Sequence, residues 1–501
     1  MEEFDYEGEE DLYSKRGCLN RETWTRARIT TILAIIGAVL LVITAVVIVL
    51  VYGIPKNKPD ETEEYWETIS IIAITQHLSE LQTIANQNGG TRSVSSPGYN
   101  ASLAYIKSQI ESATSLVVSQ QYFSINITRQ LADPIFCMVT PAQINYTESI
   151  DYKAFSYSGS GDVTAAVQWI PQLGCEIDDF SSFTAGNIAL ISRGNCSFNI
   201  KATNAIEKGA VGVLIYNYAE ENEAIQGTLG EPIPVPAFSL TYALGQQLRN
   251  MESTVYMFYS SEVDLVYTSN LIAETPTGND DSVIVIGSHL DSVDAGPGIN
   301  DNGSGSSANL QMALQSPLLD NKNKIRFIWF SAEEEGLLGS NYYVSQLSQT
   351  DKQKIALNLN FDMLGSPNYI RGILNGTQAP QEIQPAATVI SNLFETYFIS
   401  QNLTYVFIPF NGRSDYGPFL EANIPAGGIE TGAEVIKDEA LRSKFGGLAN
   451  TPFDPCYHQA CDTVDNINNE VLLQMSQAAA FALSTFATQA NLSEYLNTLV
   501  H

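Results

Sequence analysis

Six side chains of this 501-residue sequence carry the donor types that hold divalent cations: His289, Asp301, Glu333, Glu334, Asp362 and His458. Imidazole nitrogens mixed with carboxylates suit zinc, and also cobalt or manganese. Two such ions side by side would activate water for hydrolysis. His289 and Asp291 lie two apart, so in extended chain they share a face and the Asp291 carboxylate can accept the second imidazole proton and orient the ring. A lone histidine ordinarily reads as structural, and the acidic run at Glu333, Glu334 and Glu335 as a solvated surface. All of these elements appearing together argue for a metal site instead.

These groups need elements that carry them to one place. Val283 to Gly287, VIVIG, is a short apolar run that reads as a buried parallel strand, and His289 follows its C-terminal end, the edge where ligand sites of open α/β sheets lie. Gly296, Gly298, Gly303 and Gly305 make a flexible loop able to bend Asp301 back toward that edge. A helix beginning near Ser304 would add its positive end. The strand Ile325 to Ser331 leads directly into AEEEGLLGS, and the strand Ala356 to Phe361 ends at Asp362, so three successive strands deliver acids to the same edge. Adjacent residues point in different directions, so Glu333 and Glu334 can divide the work between proton handling and metal binding. His458 stands between Cys456 and Cys461 in DPCYHQACDT.

The run Ile29 to Gly53 contains no charged residue and is long enough to cross a hydrocarbon core roughly 30 Å thick. It is too long for a cleavable signal and follows an acidic tail, which fits a signal anchor. Lys15, Arg16, Arg21, Arg26 and Arg28 precede it and only Lys56 and Lys58 closely follow, which puts the N-terminus in the cytosol and the rest in a lumen or outside the cell, as a single-pass type II protein of a vacuole, lysosome or cell surface. Sequons at Asn100, Asn126, Asn145, Asn195, Asn375, Asn402 and Asn491 agree with that side and with a glycoprotein. So do the cysteines: Cys175 with Cys196 and Cys456 with Cys461 are the expected disulfides, although spacing does not fix the connectivity, and Cys137 is left buried or intermolecular. A net charge of −30 argues against nucleic acid and anionic membrane surfaces as partners.

The expected organisation is a tail at 1–28, the anchor at 29–53, the first part of a catalytic domain at 54–150, an inserted domain at 151–262 and the rest of the catalytic domain at 263–501. Helices are expected from Glu64 to Asn86 and from near Ala101, with short β-rich pieces between Val117 and about Ala166. The fold class is α/β, a mixed, mainly parallel central sheet flanked by helices. Within the insertion, NIALISRGNCSFNIKATNAIEKGAVGVLIYN fits a strand at Ile188 to Ile191, a helix carrying Lys201 and Ala205, and a strand at Gly212 to Tyr216. This segment resembles the protease-associated domain, which implies a lid or docking surface without chemistry of its own.

The motifs HLDS, GINDNGSG, AEEEGLLGS, NFDMLGSP, GRSDYGPF and CYHQACDT are together similar to the co-catalytic two-zinc aminopeptidases, most closely those of the aminopeptidase Y type with an inserted domain. The resemblance implies a zinc exopeptidase fold and two zinc ions, with Asp301 bridging them, His289 and Asp362 completing one site, and Glu334 and His458 the other. Three ionised carboxylates then offset three of the four positive charges, and the remainder favours a deprotonated water, whose pKa zinc lowers to about 7. The resemblance further implies Glu333 as general base, Tyr457 as oxyanion stabiliser, Asp291 behind the ligands, a cis peptide after Asp301, and Arg413 and Asp415 at the substrate. Tyr416 stands where the family often has histidine, which leaves substrate preference open. Asn302 is formally a sequon beside the bridging carboxylate and is expected to be unmodified. The expected activity is removal of N-terminal residues from peptides with a free N-terminus; the alternatives are a carboxypeptidase of the glutamate carboxypeptidase type and a non-catalytic receptor of the transferrin receptor type.

Overall fold

The computed structural model describes residues 64–219, 223–225 and 227–497, so the tail expected at 1–28 and the anchor expected at 29–53 lie outside the described residues. The described chain opens with a 3₁₀ turn at Tyr65–Thr68 and two helices, α1 (Ile71–Gln87) and α2 (Pro97–Ala113). The second begins ahead of the expected Ala101 because Pro97 needs no amide partner in the first turn and the Ser96 hydroxyl accepts the Gly98 amide.

Next comes β1 (Val117–Thr140), one strand of 24 residues where short pieces were expected. Asp133-Pro134 reads as a break in the sequence. The strand continues through it because register shifts between Gln130 and Ile135 absorb the extra residues, as bulges do. Cys137 lies in this strand as a free thiol. The inserted lobe follows: β2 (Gly161–Trp169), β3 (Ile188–Ser192), α3 (Phe198–Glu207), β4 (Gly212–Tyr216), β5 (Ala237–Leu240) and α4 (Tyr242–Arg249). Strands β2 to β5 pair in parallel. Lys201 is buried on α3 with its ammonium donating to the carbonyls of Gly194 and Leu173, beside the Cys175–Cys196 disulfide. The lobe returns through β6 (Thr254–Glu274), which pairs antiparallel with β1 along its whole length.

The other edge of β6 serves both lobes. Its first residues, Thr254 to Tyr259, take β2, and its last, Leu271 to Glu274, take a strand of the second sheet. That sheet contains β7 (Asn279–His289), β8 (Asn323–Phe330), β9 (Ile355–Phe361), β10 (Gly372–Leu374), β11 (Val406–Ile408) and β12 (Ala426–Glu430), in the order β11-β10-β12-β9-β7-β8-β6-β1. Strands β8, β7, β9 and β12 run parallel, so their C-terminal ends share one edge. The mixed, mainly parallel sheet of the expectation is therefore present. Helices α5 (Gly305–Gln315), α6 (Gln384–Ser400) and α7 (Asn469–Thr488) join α1 and α2 in one core with the apolar side chains of the sheet. By length and composition α7 is apolar enough to cross a membrane, but most of it is buried in this core.

Leu78 and Leu81 of α1 pack against the backbone at Gly303, where an added Cβ would lie 3.6 Å from a methyl of each. Leu81 is fully buried. Leu81→Ala is therefore expected to lower stability by about 2–5 kcal/mol, through lost transfer energy and the cavity left behind, measured as a reduced urea midpoint at unchanged slope.

Candidate metal centre

Strand β7 ends at His289, β8 is followed after two residues by Glu333 and Glu334, β9 is followed at once by Asp362, and β12 ends at Glu430. The acids and the imidazole thus arrive at one edge because the parallel strands, largely apolar along their buried length, carry polar groups at or just beyond their C-terminal ends. Asp301 reaches the same edge on the loop between β7 and α5. Its peptide bond to Asn302 is cis. Gly305 opens α5 against β9, and a Cβ there would lie 2.2 Å from the Phe361 carbonyl, so only glycine allows this approach.

The Asp301 carboxylate lies between two imidazoles, 3.3 Å from Nε2 of His289 and 3.2 Å from Nε2 of His458. His289 Nε2 is also 3.4 Å from Asp362, and His458 Nε2 is 2.9 Å from Glu334. Among the described residues the donors form three groups whose atoms lie within 4.8 Å of one another: His289 with Asp301 and Asp362, His458 with Asp301 and Glu334, and His289 with Glu333 and Glu334. All six residues singled out by sequence are brought together, with Glu333 3.9 Å from His289 Nε2. Nε2 of both histidines, one oxygen of Glu334 and one of Asp362 are buried without a hydrogen-bond partner. Buried polar atoms are normally satisfied. Inward-facing imidazole and carboxylate donors left open in this way fit a pair of divalent cations of the zinc type.

The electrostatics agree with that fit. Burial pushes the Glu333 carboxyl well above the ordinary carboxylate range, and burial with the neighbouring Asp301 raises Glu334 to about 7. Burial would lower the pKa of His458, but Glu334 and Asp301 outweigh it and raise the ring to about 11. Burial would lift Asp301, yet the His289 and His458 rings 3.3 and 3.2 Å away hold it below its usual value. Protons on these rings offset the buried negative charge. Cations would do the same and leave the imidazoles neutral as ligands.

The surrounding contacts differ from expectation in one respect. His289 Nδ1 bonds the main-chain carbonyl of Asp291 at 3.1 Å, whereas the Asp291 carboxylate stands 3.8 Å away. Its two oxygens instead accept the amides of Glu333 and Glu334, each at 3.2 Å. Fully buried, Asp291 therefore holds both ends of the cluster, the ring through its backbone and the glutamates through its side chain.

Several residues that the sequence did not single out hold the ligands. Asp462 accepts the amides of Asn300 at 2.8 Å and Asp301 at 3.0 Å, which ties the His458 loop to the backbone at Asp301. Asp454 accepts from Asn300, Asn466 and the Cys456 amide. Ser414 donates to Asp362 at 2.6 Å. Arg92, fully buried, donates to the carbonyls of Leu290, Pro297 and Gly298 and so braces the loop between His289 and Asp301. Aspartates flanking the histidine motif were the one available signal, and their partners are backbone amides that no spacing pattern reveals. His458 itself has a left-handed backbone, φ +57°, inside the segment closed by the Cys456–Cys461 disulfide.

A cavity of about 540 Å³ opens beside the cluster, lined by Asp301, Glu333, Glu334, Asp362, Arg413 and Tyr457 among others. Arg413 pairs with Glu434 at 2.6 Å and reaches the Tyr457 hydroxyl at 3.4 Å. The Tyr457 ring stacks on His458 at 3.8 Å between centroids. Asp415, expected beside Arg413 at the substrate, is wholly buried and is not among the residues that line the cavity, whereas Arg413, Ser414 and Tyr416 are. Tyr416 braces the loop, its hydroxyl accepting the amides of Asn411 and Gly412 at 3.1 Å. Asn302 is buried, donating to the Phe361 carbonyl and accepting the amides of Gly305 and Met363. That leaves it no room for a sugar.

With this geometry in hand, the chain can be set beside known proteins. The model of Peptidase family M28 matches residues 270–483, and that of the PA domain matches residues 160–248. An aminopeptidase of Pseudomonas aeruginosa is 38% identical over 431 residues, covering 82% of this chain and 80% of the relative. Aminopeptidase Y of Saccharomyces cerevisiae is 33% identical over 451 residues, covering 85% and 80%. The solved structure of a zinc aminopeptidase from Bacillus subtilis superposes with a TM-score of 0.58 at 26% identity, covering 83% of this chain and 94% of that one.

Asp462 tests how far the ligands depend on their support. Asp462→Ala, which strips the acceptors from the Asn300 and Asp301 amides, is expected to weaken divalent-cation affinity by about 10- to 100-fold, measured by competition with a chromogenic chelator. Unchanged affinity would show that Asp301 is held by other means.

Proposed function

The chain belongs to peptidase family M28, and from that premise we propose that it removes N-terminal residues from peptides as a zinc-dependent aminopeptidase. Asp301, His289 and Asp362 would hold one zinc ion, and Asp301, Glu334 and His458 would hold a second. The observation that carries this reading is the pair of donor triads meeting at Asp301. When bound, zinc supplies Lewis acidity that polarises the scissile carbonyl and makes water a nucleophile near neutral pH.

The chain's own groups do the rest. Glu333 takes the proton of the attacking water and returns it to the leaving amine, a role supported by its carboxylate lining the cavity 3.9 Å from His289 Nε2. The Tyr457 hydroxyl, oriented by Arg413 at 3.4 Å, donates to the oxyanion of the tetrahedral intermediate. Asp291 keeps Glu333 and Glu334 in place through their amides. Carboxylates of the cavity wall receive the free α-ammonium of the substrate.

Purified protein is expected to cleave aminoacyl reporters and unblocked peptides, to lose that activity to a chelator and to spare N-acetylated peptides. Removal of the C-terminal residue from a blocked peptide would point to a carboxypeptidase, and no turnover of either kind to a receptor. Glu333→Gln should retain zinc while kcat falls by about 10²- to 10⁴-fold. Near-normal turnover would take the general-base role from Glu333.

The run 29–53 acts as a signal anchor, with the catalytic part in a lumen or outside the cell. Its lack of charge, the two disulfides and the exposure of Asn100, Asn126, Asn145, Asn195, Asn402 and Asn491 support this. Full-length protein should resist alkaline carbonate extraction and gain mobility after endoglycosidase treatment. Release into the carbonate supernatant would remove the anchor.

A further inference from the structure

The ribbon of β1 and β6 carries an apolar face that none of the described residues covers. Between the stretches of β6 that pair with β2 and with β8, residues 260–270 pair with β1 alone, so the sheet is two strands wide there. One face of this ribbon is packed: Phe123, Ile125 and Ile127 cluster with Val94 and Ala332, and the Phe123 ring stacks on Tyr342 at 4.7 Å between centroids. The opposite face carries Tyr122, Val263, Leu265 and Tyr267, whose exposure runs from 49% at Val263 to 76% at Tyr267. A narrow ribbon with open edges and a bare apolar face is a surface on which chains associate without order, and proteins cover or interrupt such surfaces.

In the middle of that face stands Asn126, exposed and heading the acceptor tripeptide Asn126-Ile127-Thr128. Its cross-strand partner is Leu265, with Val263 and Tyr267 as diagonal neighbours on the same face, within reach of a ring attached to the asparagine. A pyranose has an apolar face of C–H groups and a rim of hydroxyls, so it can lie on aliphatic and aromatic side chains while its rim stays hydrated. We propose that an N-linked oligosaccharide at Asn126 covers this face, with its first sugar ring lying on Leu265 and Tyr267. In the attachment the amide nitrogen of Asn126 bonds the anomeric carbon of a lipid-pyrophosphate-linked oligosaccharide, and the lipid pyrophosphate leaves with the proton. The proposal rests on the lumenal reading of the chain and is independent of its activity. A second copy of the chain seated on the same face would need that face bare, and the sugar would keep it away.

Full-length protein from a eukaryotic secretory host, which supplies the activated oligosaccharide, is expected to carry sugar at Asn126. Mass spectrometry reads this after amidase release of the sugar in heavy-oxygen water, which marks each occupied asparagine as a labelled aspartate. Asn126→Gln should lower the midpoint of thermal unfolding by about 2 °C. That difference should survive when both proteins are trimmed to a single N-acetylglucosamine at each site, because only the first ring touches the ribbon. In a protein carrying Leu265→Ser and Tyr267→Ser the platform is gone, so Asn126→Gln should cost nothing further. An equal loss in both backgrounds would assign the effect to the asparagine itself and overturn the proposal. Disappearance of the difference on trimming would also overturn it, by assigning the effect to outer sugars. Sugar at other sequons with none at Asn126 overturns this proposal alone, whereas sugar at no sequon overturns the lumenal reading with it.

Discussion

The centre depends on a single carboxylate held between two rings that are far apart in sequence. Asp301 lies within 3.3 Å of Nε2 of both His289 and His458 and so links the β7 end to the C-terminal histidine loop. Holding it there takes several separate contacts. Arg92 braces the loop that precedes it, Asp462 accepts its amide, and α1 packs beneath Gly303. Each contact anchors backbone rather than side chain. The carboxylate oxygens are thereby left for a ligand while the main chain is fixed, the division of labour expected where a cation must be gripped without rearrangement.

The long ribbon of β1 and β6 gives the inserted lobe a mechanical connection to this centre. Because β6 pairs with β2 at one end and β8 at the other, both lobes share one continuous run of hydrogen bonds. The lobe also meets the loop after the glutamates, where the Thr228 methyl group lies 3.4 Å from the place a Cβ would take at Gly336. Gly336 has φ +105°, a conformation open to glycine, so the backbone shape of this turn calls for glycine while a Cβ would meet Thr228 at ordinary contact distance. The PA domain of this metallo-aminopeptidase is thus more than an appendage hinged at a linker. It borders the turn that presents Glu333 and Glu334.

Much of the centre was legible in the sequence because its ligands follow apolar strands. VIVIG, IRFIWF and the strand before Asp362 declare themselves as buried, and the donors stand at their ends, so burial and chemistry give the same message. Legibility failed where the deciding contact is to backbone. Asp462, Asp454 and Arg92 bind amides and carbonyls contributed by segments far away in the chain, and such partners leave no mark on residue type. The burial of Asp415 left no mark either, because neighbours in one loop have different surroundings: Ser414 donates to Asp362, Arg413 lines the cavity and Asp415 is buried. The length of β1 was hidden by Pro134, whose break in the pattern is absorbed by a bulge that depends on the partner strand.

Asn302 carries a consequence for biosynthesis. It heads an acceptor tripeptide, yet in the finished molecule its amide is consumed by three backbone partners. In a compartment that attaches sugars cotranslationally, the tripeptide emerges ahead of Phe361 and Met363, the partners that close over it. A substitution that merely delays this closure would yield a soluble, heavier and inactive species, silenced by an oligosaccharide at its own centre although every ligand remains.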